Sequence, residues 1–268
     1  MICDKFYVID AHCYVYPAKI ATAAVSATDA FYGVVSVLDG STEALRKQMD
    51  RTGVDHALIQ SVATTPKQVG SINRFIAATV AEADGCFTGL GTLHPDSPDQ
   101  AADVAELLSL GLKGVKLHPD IQRFAMDDPR CMKIYELCQE SGLVMLLHTG
   151  DSRYDNSNPN RLLPVLKAFP DLTIIGGHLG GYSIWDDASR QLAGVPNFYV
   201  DTSSSIGVLG VARAKEIILR YGFDHVLFGT DYPMFCQEKE LEYLLQMDFT
   251  DAEYEKIFAN NARRLFDL

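Results

Sequence analysis

Short apolar runs, bounded by glycine, proline and polar residues, recur along the whole chain. Their composition, rich in Val, Ile and Leu, predicts buried β-strands. Segments with apolar residues at helical spacing lie between most of them, among them residues 71–83, 100–110, 130–141 and 208–221. This alternation predicts parallel strands joined by right-handed helical crossovers. Eight such runs occur, at residues 6–14, 56–62, 87–94, 114–118, 143–149, 172–178, 198–203 and 226–231.

Eight strands and 268 residues fit one closed barrel. We therefore predict an α/β fold, a (β/α)8 TIM barrel, as a single domain over residues 1–268. An open doubly wound sheet is the competing fold, but the glycine-rich phosphate loop expected after its first strand is missing from the sequence. Residues 13–40 depart from the regular pattern, being long and rich in small residues. They form either a lid over the site or a short extra helix packed on the barrel.

Histidines stand at one end of these runs more often than chance would place them. Five of the seven close a run, namely His12, His94, His118, His148 and His178, and Asp231 closes another. In a parallel barrel these groups gather at the carboxyl ends of the strands, where TIM-barrel active sites lie. His56 and His225 instead begin their runs and are interpreted as structural. His94 and His118 precede proline, so each has the alternative role of capping a strand.

Strand alternation places residues two apart on the same face. Asp10, His12 and Tyr14 are therefore expected on one face, and Lys116 and His118 share another. Histidine nitrogen and carboxylate oxygen are zinc ligands, and a catalytic site leaves one position to water. Asp231 would take the proton of that water, and His178 would polarise a carbonyl or act as general acid or base.

Charge and cysteine content narrow the possible partners. The formal net charge is -12 with no basic block, which argues against nucleic acid and against an anionic membrane surface. The six cysteines include no C-x-x-C pair, and reduced thiols are expected. The first residues carry charges where a signal peptide needs apolar residues, and no run approaches the ~20 residues of a membrane span. We expect a soluble, cytoplasmic protein.

Several blocks resemble the signatures of the amidohydrolase superfamily, and most of all its amidohydrolase-related branch, also called amidohydrolase family 2. They are IDAH, GVKLHP, LLHTG, GGHLGG, FGTDYP and the closing NARRLF, and they occur in the right order along nearly the whole chain. The resemblance implies a distorted (β/α)8 barrel with one or two divalent metals, usually zinc. It implies His148 as a strand-five ligand, Asp231 as the strand-eight ligand and acid/base, and His178 as a catalytic group or second-metal ligand.

One departure from the family pattern concerns the first strand. The usual motif is H-x-H, but this chain has His12 and Tyr14. Some decarboxylases of the branch use an acidic residue two positions before the histidine, so we predict a single zinc ion held by Asp10, His12, His148 and Asp231. Tyr14 would then face the substrate. Alternatively these groups bind substrate directly, as in the metal-free lactonases of the branch.

Further substrate contacts are expected from Lys116, Tyr14, His118 and Arg153. Lys116 is interpreted as an unmodified cation that pairs with a substrate or ligand carboxylate, with carbamylation or pairing with a barrel acid as alternatives. Other loop candidates are Arg123, Phe124, Tyr154, Asn156, Tyr232 and Phe235. Together these cations suit a small carboxylated substrate. Many barrels pair through outer helices, which favours a homodimer.

Three functions remain open at this level. The main prediction is a metal-dependent hydrolase of a small amide or lactone. The alternative is a non-oxidative decarboxylase or hydratase of a small carboxylic acid on the same scaffold. The third is a non-catalytic barrel that binds a ligand. Fold analogy does not choose among them, because this barrel supports many chemistries.

Overall fold

The computed structural model describes residues 5–268 and contains the predicted eight-stranded parallel barrel. All strands lie in one sheet in chain order, and each lies inside one of the predicted apolar runs. The strands are β1 Ile9–Tyr14, β2 His56–Gln60, β3 Phe87–Gly91, β4 Gly114–Leu117, β5 Val144–Leu147, β6 Ile174–Gly176, β7 Phe198–Asp201 and β8 Val226–Leu227.

Helices surround the barrel and begin where the sequence offers capping groups. Asp128 accepts a hydrogen bond from the Arg130 amide, and proline follows it at the first helical position. The helices are α1 Ala18–Tyr32, α2 Thr42–Thr52, α3 Val69–Ala81, α4 Gln100–Ser109, α5 Pro119–Gln122, α6 Pro129–Glu140, α7 Pro159–Ala168, α8 Trp185–Leu192, α9 Ile206–Leu209, α10 Val211–Tyr221, α11 Gln237–Leu245, α12 Asp251–Glu255 and α13 Asn261–Phe266. Helices α2 and α11 are polar and were not predicted. No helix in residues 5–268 is long and apolar enough to cross a membrane.

Two apolar cores hold the barrel together. The outer core lies between the sheet and the helices. The inner core fills the barrel with alternate strand residues, and Phe266 of α13 packs into it. The inner core residues from the strands are Ile9, Ala11, Leu58, Leu90, Val144, Leu146, Ile175 and Leu227. Because these apolar side chains fill the barrel, the polar residues near the carboxyl ends of the strands are left to form the site.

The barrel closes between β8 and β1 through backbone hydrogen bonds. The Ala11 amide donates to the Phe228 carbonyl at 2.9 Å, and the Tyr14 amide donates to the Tyr232 carbonyl at 2.8 Å. Cys13 and Tyr232 form a parallel bridge. Closure removes the exposed edges that an open sheet would present.

A bulge in β1 breaks the alternation that the sequence analysis assumed. Asp10 pairs with Ala57, but the register shifts before Cys13. An extra residue in one strand switches which side chains point inward. Ala11 therefore belongs to the inner core and Cys13 to the outer core, while His12 and Tyr14 face the carboxyl end of the barrel.

We predicted from strand alternation that Asp10 and His12 share a face. Because of the bulge, they do not. The Asp10 carboxylate lies between β1 and the segment after β8. It accepts hydrogen bonds from the Thr230 hydroxyl at 2.7 Å, the Thr230 amide at 3.0 Å and the Gln237 side-chain amide at 3.0 Å. Burial raises the pKa of this carboxyl, and these hydrogen bonds oppose the rise. Asp10 therefore links β1 to the segment after β8, where the barrel closes.

We predict that Asp10→Ala destabilises the fold. The substitution leaves the buried Thr230 and Gln237 donors without an acceptor, which is expected to lower the free energy of unfolding by about 2–4 kcal/mol. Urea unfolding followed by circular dichroism measures this change, with the exposed Asp171→Ala as control. Unchanged stability together with loss of a bound metal would instead identify Asp10 as the metal ligand that the sequence predicted.

Candidate active site

A cavity of about 1020 Å³ opens at the carboxyl ends of the strands, beneath α1. Most of the side chains singled out from the sequence line it or lie directly below it. Residues 13–40 thus contribute a helix that covers the site, with Tyr32 reaching inward. The polar lining residues used below are Tyr14, Tyr32, His118, Asp120, Arg123, His148, His178 and Asp231.

His12 is held from both sides below the cavity. Its Nδ1 lies 2.7 Å from Oδ2 of Asp201, and its Nε2 lies 3.1 Å from Nζ of Lys116. Because a carboxylate can only accept, Nδ1 carries the proton and Nε2 is left to accept from the lysine ammonium. Burial lowers the pKa of Lys116 to about 8, while Asp201 and Asp231 oppose that change. Lys116 is fully buried and does not line the cavity.

Asp201 is a site residue that the sequence analysis missed. Burial alone would raise the pKa of its carboxyl, but the electrostatic attraction of the His12 Nδ1–H and the hydrogen bonds from His12 and Ser203 hold it well below its usual value. Ser203 also donates to Asp201, and its hydroxyl lies 3.0 Å from Nδ1 of both His12 and His178. The available signal was the position of Asp201 directly after the apolar residues 198–200 of its run.

Three further imidazoles form a row across the cavity. The His118 and His148 rings stack with centroids 4.0 Å apart, and Nδ1 of His148 lies 2.9 Å from Nε2 of His178. Burial lowers the pKa of all three rings, that of His178 to about 4. They are therefore neutral near pH 7, so each ring carries one protonated and one unprotonated nitrogen.

Asp231 lies at the floor of the cavity beside His12. Its Oδ1 is 3.5 Å from Nε2 of His12, and its Oδ2 accepts a hydrogen bond from Ser204 at 2.5 Å. Both Asp231 and His178 have left-handed backbone conformations, with φ of 66° and 60°. Non-glycine residues rarely adopt this region, and such strain is concentrated at functional sites.

Tyr32 connects α1 to the histidine row. Nε2 of His118 lies 2.7 Å from the Tyr32 oxygen, and the Ile121 amide donates to Nδ1 of the same ring. The same oxygen lies 3.4 Å from Nδ1 of His148. The sequence carries no signal that marks Tyr32 as a site residue, because Tyr32 lies in the small-residue segment 13–40.

Arg153 is used differently from its predicted role in substrate binding. It does not line the cavity. Its Nε and Nη2 bind the two oxygens of Asp151, at 3.0 Å and 2.7 Å, and its Nη1 donates to the Phe31 carbonyl at 2.8 Å. The guanidinium also lies over the rings of Phe31 and Tyr32. Arg153 therefore fastens the end of α1 over the cavity.

The structure does not gather the predicted metal ligands into one group. Asp10 points away, the lone pair of His12 faces an ammonium, and His148 neighbours His118 and His178 instead. A different trio, His118, Asp120 and His148, has ligand atoms that all lie within 4.8 Å of one another.

Asp120 makes this trio a suitable site for a divalent ion. The Ser157 hydroxyl donates to Oδ2 at 2.6 Å, but buried Oδ1 has no hydrogen-bond partner among residues 5–268. A buried carboxylate oxygen without a donor needs a partner, which a cation or an ordered water supplies. Two imidazoles and a carboxylate are donors for zinc or manganese. The donor set therefore fits the ion that the family resemblance implies.

The histidines outside this group have structural contacts. Nδ1 of His94 accepts from the Asp96 amide at 3.1 Å, so this ring closes a local turn after β3. His56 contacts the Thr88 hydroxyl, and His225 contacts the Phe198 carbonyl. These positions agree with the structural interpretation of His56 and His225.

Comparison with known proteins extends this picture. A sequence profile described as amidohydrolase matches residues 9–268. A 2-amino-3-carboxymuconate-6-semialdehyde decarboxylase from Dictyostelium discoideum is 26% identical over 83% of this chain and 75% of its own length. A gamma-resorcylate decarboxylase from Polaromonas sp. strain JS666 is 24% identical over 73% of this chain and 75% of its own length.

Solved structures share the fold. One is a dihydroxybenzoic acid decarboxylase from Polaromonas sp. JS666 with bound manganese and the inhibitor 2-nitroresorcinol. It covers 98% of this chain and 97% of its own, with 18% identity and a TM-score of 0.71. These findings confirm the TIM barrel and the amidohydrolase resemblance. The predicted hydrolysis of an amide or lactone is wrong, because the named relatives are decarboxylases.

We predict that Arg153→Ala loosens the end of α1. Loss of the hydrogen bond to Phe31 and of the ring contacts should raise amide hydrogen exchange in residues 29–36 roughly tenfold, as measured by mass spectrometry. Arg161→Ala is the matched control, because Arg161 pairs with Asp155 and Asp127 rather than with the helix. Equal exchange in both variants would show that Arg153 does not hold the helix.

We predict that Asp120→Asn weakens divalent metal binding by roughly 100-fold, because it removes an anionic ligand. Titration calorimetry with Mn²⁺ and Zn²⁺ on metal-stripped protein measures the affinity, and elemental analysis of the purified protein identifies the ion. Asp155→Asn, on the exposed loop nearby, is the control. Unchanged affinity in Asp120→Asn with loss in His12→Ala would place the ion beside β1, as the sequence predicted.

Proposed function

We propose, because the chain belongs to the amidohydrolase family, that it is an enzyme of that family which releases carbon dioxide from a small carboxylic acid without oxidation. The named decarboxylases among its relatives support this reaction class. The observation that carries the proposal is the position of Asp231. It is an acid on a strained backbone at the floor of a cavity, next to neutral imidazoles.

The reaction requires a proton at the carbon that loses its carboxylate. The carbon–carbon bond breaks, its electron pair stays on the substrate carbon, and carbon dioxide leaves. In our proposal the protonated Asp231 supplies the proton that replaces the carboxylate. Ser204 fixes Oδ2 of Asp231, which leaves Oδ1 directed toward the cavity side of His12.

His178 is proposed to be the second catalytic group. It is neutral near pH 7, and it contacts His148 through Nε2 and Ser203 through Nδ1. A neutral imidazole at this place can orient the substrate carboxylate by donating a hydrogen bond from its N–H. Tyr14 and His118 line the same cavity and are proposed as substrate contacts.

A divalent ion would be held by His118, Asp120 and His148. When bound, it supplies positive charge that attracts the substrate carboxylate or a neighbouring oxygen. Either the zinc predicted from sequence or manganese suits this donor set. The remaining predicted ligands, His12 and Asp231, stay proposed as site groups.

Lys116 is proposed to act through His12 rather than on the substrate. It is buried below the cavity and donates to Nε2 of His12. With Asp201 on Nδ1, this fixes the tautomer and orientation of the ring beside Asp231. Lys116 is thus a positioning residue.

We predict that Asp231→Asn lowers decarboxylation by roughly 10²–10⁴-fold, because the amide holds no transferable acid proton. The assay measures carbon dioxide from 2,6-dihydroxybenzoate and related acids. In heavy water, one deuteron should appear at the carbon that lost the carboxylate. Asp224→Asn, an exposed acid paired with Lys256, should leave the rate unchanged.

Two results would contradict this proposal. One is full carbon dioxide release by Asp231→Asn. The other is wild-type turnover that consumes the acid while its carboxylate is retained, which would indicate a hydratase. No turnover of any acid in the panel would favour the ligand-binding barrel.

A further inference from the structure

One part of the cavity is apolar and has no role in the reaction described above. It is a groove lined by Ile20 and several alanines of α1 and by Ile72 and Phe75 of α3, the α1–α3 groove. The whole cavity, at about 1020 Å³, reaches the upper end of the roughly 300–1,000 Å³ that is typical of sites for drug-sized ligands. A single-ring acid at the floor would therefore fill only part of it.

Helix α1 turns one face toward the cavity along most of its length. The residues of this face that line the cavity are Ile20, Ala23, Ala24, Ala27 and Phe31. They are three or four positions apart, which places them on one side of a helix. At 1.5 Å per residue, the face runs about 16 Å from Phe31 to Ile20. The groove is therefore long, narrow at its alanines and apolar throughout this wall.

The inner end of the α1–α3 groove lies beside the histidine row. The Phe31 ring centroid is 6.2 Å from that of His118, and the ring stacks on Tyr154. The Phe31 carbonyl accepts a hydrogen bond from Arg153, which holds this end of the helix in place. His118 and Asp231 line the same cavity. The groove therefore begins next to the reacting groups and leads away from them along α1.

The apolar side chains of the groove remain partly in contact with solvent. Ile20 is 47% exposed, and Ile72 and Phe75 are half-buried. Single exposed apolar residues are ordinary, but several that share one concave surface indicate a ligand-binding groove. Because the groove is a wall of the cavity that holds Asp231, a permanent cover over it would also cover the site. Its occupant must therefore enter and leave with the substrate.

We propose that the α1–α3 groove binds an apolar tail of the substrate. The substrate of this chain is then a carboxylic acid whose carboxylate lies at the floor and whose hydrocarbon extension lies along α1. This inference rests on the proposed decarboxylation, since it names the substrate class of the same site. The tail takes no part in the bond that breaks and stays on the product. Each methylene that leaves water in the groove should strengthen binding roughly twofold to fourfold.

The test measures affinity against tail length by titration calorimetry. The probes are benzoate and its 4-ethyl, 4-butyl, 4-hexyl and 4-octyl derivatives, which share one carboxylate and differ only in the hydrocarbon. We expect the affinity of the wild type to rise along the series. The octyl derivative should bind roughly 50-fold or more tightly than benzoate, because its methylenes leave water.

Two variants of α1 locate the tail. Ala27→Glu and Ala23→Glu place a carboxylate on the cavity face, about 6 Å and 12 Å along the helix from Phe31. A tail that passes this carboxylate must remove it from water, which is unfavourable. In Ala27→Glu the ratio of octyl-derivative to benzoate affinity should fall below roughly fivefold. In Ala23→Glu the affinity should rise for the shorter tails and stop rising for the longer ones.

Ala30→Glu is the matched control. Ala30 is exposed on the same helix but does not line the cavity. The variant should keep the wild-type ratio at every tail length. Because each ratio is taken within one variant, the effect of the added charge on the probe carboxylate cancels. Ala23, Ala27 and Ala30 are all exposed and glutamate is a good helix former, so the melting temperatures should stay close to that of the wild type.

The proposal is overturned if the affinity of the wild type does not rise with tail length. It is also overturned if Ala27→Glu and Ala30→Glu give equal ratios, because the tail would then lie outside the α1–α3 groove. The outcome is separable from that of the proposed reaction. Tail-dependent binding without carbon dioxide release from any acid would contradict only the reaction. Carbon dioxide release without tail-dependent binding would contradict only this inference.

Discussion

The site depends on the bulge in β1. One extra residue between Asp10 and Cys13 turns His12 toward the carboxyl end of the barrel and sends Asp10 to the opposite side of the strand. Asp10 then fastens Thr230 and Gln237, which bring the segment after β8 against β1. The same segment carries Asp231. Closure of the barrel and placement of the acid beside His12 are therefore consequences of one irregularity.

Burial determines the charge state of the groups around that acid. Desolvation lowers the pKa of His118, His148 and His178, because removal from water penalises the protonated rings. Asp201 keeps its charge because His12 and Ser203 donate hydrogen bonds to it. Lys116 donates a hydrogen bond to Nε2, the other ring nitrogen of His12. The result is a row of neutral imidazoles above the buried network of Lys116, His12 and Asp201.

Helix α1 covers the cavity, although it lies in residues 13–40, a segment without clear helical periodicity. Its last residue, Tyr32, reaches the histidine row, and Arg153 fastens this end of the helix through Asp151. Arg153 therefore holds the end of α1 in place, whereas the Arg123 guanidinium makes no hydrogen bond or ion pair within residues 5–268. Arginines on neighbouring loops look equivalent in sequence. They differ only because Asp151 and the Phe31 carbonyl happen to lie within reach of one of them.

The sequence by itself determined the barrel and the gathering of His118, His148, His178 and Asp231, because apolar strand runs and parallel pairing bring run-ending residues to one face. It missed the polar helices α2 and α11, whose burial comes from tertiary packing. Asp10 was misplaced because a bulge leaves no mark in the two-residue alternation. Asp120, Asp201 and Tyr32 could not be assigned, since each acts through a partner distant in sequence. Only the tertiary structure decided that Oδ1 of Asp120 has no donor within residues 5–268 and that Arg153 binds Asp151 and the Phe31 carbonyl, because both depend on distances between separate loops.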